Sequence, residues 1–148
     1  MMPQLKPQIM VNALSTTNGG TAAGFIDTLG YDFLMVAIDA ATADVVSNKP
    51  TVCKLQESDV TLTTSSTSWT DITAFATPAV IPSANTAATA VLQNIYQFNV
   101  DCRARKRYIQ AVYSPQTTQV TSIVAVLGRA EQSPTTAAKA NVMTLVEG

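Results

Sequence analysis

The chain has 148 residues, 47% of them hydrophobic and only 13% charged, with a formal net charge of -1. Its length suits one domain that buries roughly 70% of the surface exposed when unfolded, and its charge provides no long-range field for nucleic acid or membrane, so neither is an expected partner. Typical soluble domains are about 25% charged; this exterior must be polar mainly through Thr, Ser, Asn and Gln, and a partner can cover it while desolvating few charges.

In chain order, apolar periodicity predicts strands nearly everywhere. Residues 1–20 read as an N-terminal arm and a first strand near 9–14, ended by the turn Asn18-Gly19-Gly20. A β-sandwich domain then occupies 21–130, beginning with a short strand near 21–28. Phe33-Leu34-Met35-Val36-Ala37-Ile38 is a continuous apolar run, expected as a strand buried on both sides. After Asn48-Lys49-Pro50, residues 52–57 alternate, with Cys53 and Leu55 inward and Lys54 and Gln56 outward. A short strand is expected near 68–72, and a long surface loop over 74–90, where Pro78 and Pro82 argue against a helix.

Tyr96, Phe98, Val100 and Cys102 share one face of the next strand. Strands over 107–113 and 120–127 complete the series, separated by Ser114-Pro115-Gln116. Residues 131–148 read as an extended C-terminal arm, either docking through Val142, Met143, Leu145 and Val146 or frayed as a tail. About eight short strands at this spacing predict an all-β fold: an antiparallel β-sandwich, jelly-roll-like, with extended terminal arms. No apolar stretch reaches the ~20 residues that span a bilayer. Met1-Met2-Pro3-Gln4-Leu5-Lys6 lacks the layout of a signal peptide, so the chain is expected to stay in the compartment where it is made.

The reactive groups are few. With no histidine, the chain lacks the commonest general base, the Ser-His-Asp and Cys-His arrangements and the usual zinc ligand sets. Cys53 and Cys102 are isolated, each inside a predicted strand, and read as buried thiols that could be strand neighbours. Gly19-Gly20-Thr21-Ala22-Ala23-Gly24 lacks the lysine of a phosphate loop. Asp27, Asp32, Asp39, Glu57, Asp59 and Asp71 could supply a glycosidase pair, but most sit at strand ends, where acids face water and cap turns. The expectation is no enzyme activity, no cofactor and no metal. Arg103, Arg105, Lys106 and Arg107 place four of nine positive residues within five positions. They read as a charged turn or as a docking patch for an acidic protein surface, where Arg makes forked bonds to carboxylates.

Several segments together carry a resemblance: residues 25–34 (Phe25-Ile26-Asp27 through Leu34), 53–59, Trp69-Thr70-Asp71-Ile72, 96–109 and 124–131. In order and layout they resemble head-decoration (cement) proteins of tailed bacteriophages. The resemblance implies a structural virion protein, made in the host bacterial cytoplasm and located on the capsid exterior. It further implies a homo-oligomer, a dimer or, by a slight lean, a trimer, that bridges major capsid protein subunits and stabilises the shell. The candidate capsid contacts are Arg103, Arg105, Lys106 and Arg107, with the termini and the 74–90 loop. Binding several subunits at once gains avidity through high effective concentration. The alternative is a carbohydrate-binding β-sandwich module serving host adhesion: Leu55-Gln56-Glu57-Ser58-Asp59 followed by Trp69-Thr70-Asp71 resembles a hairpin of galactose-binding-like sandwiches. Val60 replaces the glycine expected there, and Trp69 would stack on the sugar.

Overall fold

Period-two alternation places apolar side chains on one face of each strand, and the fold pairs those faces. A computed structural model describes residues 5–40, 50–60, 68–76 and 95–130. Eight strands form: β1 (Leu5–Thr16), β2 (Ala22–Asp27), β3 (Tyr31–Ala40), β4 (Val52–Ser58), β5 (Thr70–Asp71), β6 (Ile95–Asp101), β7 (Tyr108–Ser114) and β8 (Gln119–Ala130). β1 pairs with β8, β2 with β7, β3 with β6 and β4 with β5, all antiparallel. The chain is thus one long ribbon doubled back at β4–β5. Ladders β3–β8 and β4–β7 roll it into two four-stranded sheets, β1-β8-β3-β6 and β2-β7-β4-β5. This nesting is a jelly roll, the all-β sandwich that the strand spacing predicts.

The core lies between the sheets. Leu34, Val36 and Ile38 of β3 and Ile123, Ala125 and Leu127 of β8 meet Ile26, Leu55, Ile109, Ala111 and Tyr113, each at most 1% exposed. A large aliphatic side chain buried this way stabilises the fold by about 1.5–3 kcal/mol. The Tyr113 hydroxyl, inside this core, accepts a 2.7 Å hydrogen bond from Gln119 Nε2, so its polar end is not stranded. Phe75, in a 3-10 turn at Thr73–Phe75, packs edge-on against Phe98 at 5.9 Å and closes the side of the sandwich beside β6. Where β1 passes β2 the backbones nearly touch: a Cβ at Gly24 would lie 2.8 Å from Met10 C.

Several expectations need correction. The 33–38 run is not buried on both sides: Leu34, Val36 and Ile38 are sealed, while Met35 and Ala37 are half-buried and Phe33 is 36% exposed. A jelly roll has only two layers, so each strand has just one core face. The first strand begins at Leu5, well before residue 9, so residues 5–8 belong to a sheet rather than to the N-terminal arm. Cys102 follows β6 in a 3-10 turn, Cys102–Ala104, and Cys53 lies in the other sheet, so the two are not strand neighbours; both are buried and neither forms a disulfide. Most of the 74–90 loop and the whole of 131–148 lie outside the described residues.

Candidate functional site

Two surface features meet at one end of the sandwich. The first is the outer face of the sheet β1-β8-β3-β6. Its register aligns Leu5, Gly128, Phe33 and Asp101 in one row, Pro7, Val126, Met35 and Asn99 in the next, and Ile9, Val124, Ala37 and Gln97 in a third. In these three rows β1, β8 and β3 carry apolar residues or glycine outward and β6 carries polar ones. Leu5 is 55% and Ile9 63% exposed, and a groove of about 700 Å³ lined by Leu5, Phe33, Met35, Asn99 and Val126 crosses the face. Apolar patches of this kind are uncommon on the exterior of a monomeric soluble domain.

The second feature is the basic cluster. The β2–β3 turn and the β6–β7 connection bring it to the same end, around a cleft of about 410 Å³ lined by Leu29, Tyr31, Asp32, Arg103, Arg105 and Arg107. The β2–β3 turn forms because Gly30 takes φ +82° while Tyr31 N–H donates to Thr28 O at 3.1 Å and Leu29 N–H donates to Asp27 Oδ1 at 3.0 Å.

Each arginine of the cluster has an acid of the same chain as partner. Arg107 donates to Asp27 through Nε at 3.0 Å and Nη2 at 2.7 Å, a forked pair that ties the β6–β7 connection to the end of β2. That hydrogen-bonded guanidinium holds the Asp27 carboxyl below its ordinary value, against the opposing effect of burial. Arg103 forks onto Asp101 at 2.5 and 2.9 Å, which together with the Arg103 backbone N–H lowers the Asp101 pKa to about 2. Arg105 lies 3.8 Å from Glu57, whose other oxygen accepts from the backbone N–H of Lys106 at 3.2 Å. The Lys106 ammonium has no carboxylate within 4.0 Å among the described residues.

Phe33 joins the two features. The guanidiniums of Arg103 and Arg129 lie 5.6 and 5.2 Å from its ring, so the basic end borders the apolar face directly. Arg129 reaches this position from a left-handed backbone (φ +54°) near the end of β8 and also lies 3.5 Å from Asp32. The structure thus gathers Arg103, Arg105, Lys106 and Arg107 in one place, as neighbours of a surface that sequence reasoning did not single out. The signal for that surface was available: the apolar run 33–38 asks for cover on both faces, and the described residues cover one.

The remaining candidates separate from this end. Trp69 lies over the outer face of the other sheet, 6.0 Å from Phe25, which in turn meets Tyr108 edge-on at 6.5 Å. Four of the six candidate glycosidase acids are paired with cations: Asp27 with Arg107, Asp32 with Arg129, Glu57 with Arg105, and Asp71 with Lys54 at 2.7 Å. Burial, reinforced by Asp101 and Asp32, pushes the Cys102 thiol up to about 11, which keeps it protonated and unreactive at neutral pH. Among the described residues no group of three potential metal ligands occurs, and no helix is long and apolar enough to cross a membrane. Comparison with protein-family models and with curated proteins returns no match.

Proposed function

We propose that this chain is a structural virion protein that binds the outer surface of a tailed-phage capsid and stabilises it by bridging major capsid protein subunits. The observation that supports this most is the outward apolar face of β1, β8 and β3. In the isolated chain it leaves Leu5, Ile9 and Phe33 exposed, as expected of a protein whose second layer of burial comes from a partner. The low charge lets the partner cover this face with little desolvation. Arg103, Arg105, Lys106 and Arg107 sit at its edge, where exchanging an internal carboxylate for one on the shell fixes orientation more than it adds affinity. Catalysis and cofactors have no part in this reading.

The test is cosedimentation with expanded tailed-phage shells assembled from a major capsid protein. The native protein should saturate the shell and raise its resistance to heat. Val126→Lys and Met35→Lys each put a charge in the middle of the apolar face and should abolish occupancy while leaving the melting temperature within a few degrees. Absence of binding by the native protein, or full binding by both variants, would refute the assignment. The second reading, a carbohydrate-binding module, draws support from the aromatic group Trp69, Phe25 and Tyr108 on the opposite face. Binding on a glycan array that Trp69→Ala removes, with no affinity for shells, would favour it.

A further inference from the structure

A sheet edge is a row of unpaired backbone donors and acceptors, and proteins that remain monomeric blunt such edges with prolines, bulges, lysines, cover or brevity. Three of the four edges here carry such a device. β1 has Pro7, two register shifts and a left-handed residue at Ala13 (φ +43°). β2 is pressed against β1 at Gly24 and Met10. β5 is two residues long. Among the described residues the fourth edge, β6, carries no proline, bulge or lysine and is not short. Its seven residues, Ile95–Asp101, pair with β3 in unbroken register, contain no proline, glycine or lysine, and among the described residues pair with no other strand.

We propose that β6 pairs antiparallel with β6 of a second copy of this chain across a two-fold axis at Phe98, joining the two β1-β8-β3-β6 sheets into one eight-stranded sheet. The sequence of β6 is complementary to itself in this register, the one that engages all seven residues. Phe98 meets Phe98 of the second copy, and Tyr96 meets Val100. Tyr96, Phe98 and Val100 face the core side of their own sheet, where Tyr96 and Phe98 are only half-buried and gain cover from the pairing. On the outer side Gln97 meets Asn99, two amides able to exchange hydrogen bonds; within one chain they already join through Gln97 Nε2 and Asn99 Oδ1 at 3.1 Å. Ile95 meets Asp101, and the two Asp101 carboxylates stand at opposite ends of the ladder, about 20 Å apart at ~3.4 Å per residue, so no like charges face each other. A two-fold contact of this kind is closed and cannot propagate into fibres. It also sets two apolar outer faces side by side on one continuous surface. The pairing does not depend on what that surface binds.

Sedimentation velocity on the full chain tests the pairing. The native protein should pass from monomer to dimer between about 1 and 100 µM, the range of a small interface. Gln97→Lys combined with Asn99→Lys sets ammonium groups opposite each other at both outer positions. It should leave a monomer at every concentration, with circular dichroism and melting unchanged because both side chains are exposed. Gln97→Lys combined with Asn99→Glu restores attraction across the axis and should recover the dimer. A native protein that stays monomeric, a dimer or trimer indifferent to the double-lysine change, or a failure of the Lys/Glu combination to recover association would each overturn the proposal. Loss of shell binding with the dimer intact would instead count against the capsid assignment alone.

Discussion

Gly24 offers the sharpest check on how the two sheets meet. Its backbone has no positive φ, so the reason for glycine is space rather than conformation. An added Cβ would lie 2.8 Å from Met10 C and 2.9 Å from Met10 Cβ, and closer still to the Met10 carbonyl oxygen. These are mainly backbone atoms of β1, which cannot rotate away as the tip of a long side chain would. Overpacking that moves backbone costs roughly 1–3 kcal/mol, and the reduced freedom of an unfolded chain carrying alanine returns about 0.4–1 kcal/mol. The net expectation for Gly24→Ala is a loss of about 1–2 kcal/mol. For a domain of this size that lowers Tm by roughly 2–8 °C. Gly128→Ala is the control. Its Cβ would meet only Leu5 Cδ2 at 3.4 Å, an ordinary contact with a mobile side-chain end, so stability should stay level or rise slightly. Thermal melts followed by circular dichroism, with urea titrations to separate changes in m, give both values. A Gly24→Ala protein as stable as the native one, or less affected than Gly128→Ala, would refute the close approach of β1 and β2.

Three further outcomes are expected. Ala13→Gly relieves a left-handed backbone at the β1 bulge and should stabilise by about 0.5–1 kcal/mol; a lower Tm would contradict the bulge. Asp27, Asp71 and Asp101 all titrate below their ordinary values because of Arg107, Lys54 and Arg103, Asp101 at about 2. Their contribution is therefore complete above the unfolded aspartate pKa of about 3.9 and is lost as pH falls from there toward about 2. Melts at low salt should show Tm falling over that window, less steeply for Arg107→Gln, and a flat or rising profile would count against the ion pairs. Cys53 and Cys102 are buried, so a thiol reagent should label neither in the native state within minutes and both at once in denaturant; rapid native labelling would show one of them to be accessible.

Strand positions were legible because alternation is a local property. Cys53 and Leu55 do point inward and Lys54 and Gln56 outward, and the Gly19 and Gly30 turns fall where the chain has the residues able to take positive φ. The basic cluster was visible as a run of residue types, but its partners were not. Asp27 and Arg107 lie 80 positions apart, and only the β2–β7 register brings them within 2.7 Å. The outer apolar face was signalled by the 33–38 run but not identified from it, for a related reason. A continuous apolar run looks the same whether both of its faces are buried in one chain or one of them waits for a second protein.

Composition and period by themselves determined that this chain folds as an all-β sandwich with a sparsely charged exterior, since both follow from which residues sit next to which. Tertiary structure alone decided that β1 starts at Leu5, that Gly24 must be small, that Arg103 and Arg129 both reach the ring of Phe33, and that β6 lies at the end of its sheet among the described strands. Each of these depends on pairing between residues far apart in sequence. Many pairings of eight strands satisfy the same local alternation, and only the packing of the whole chain selects one.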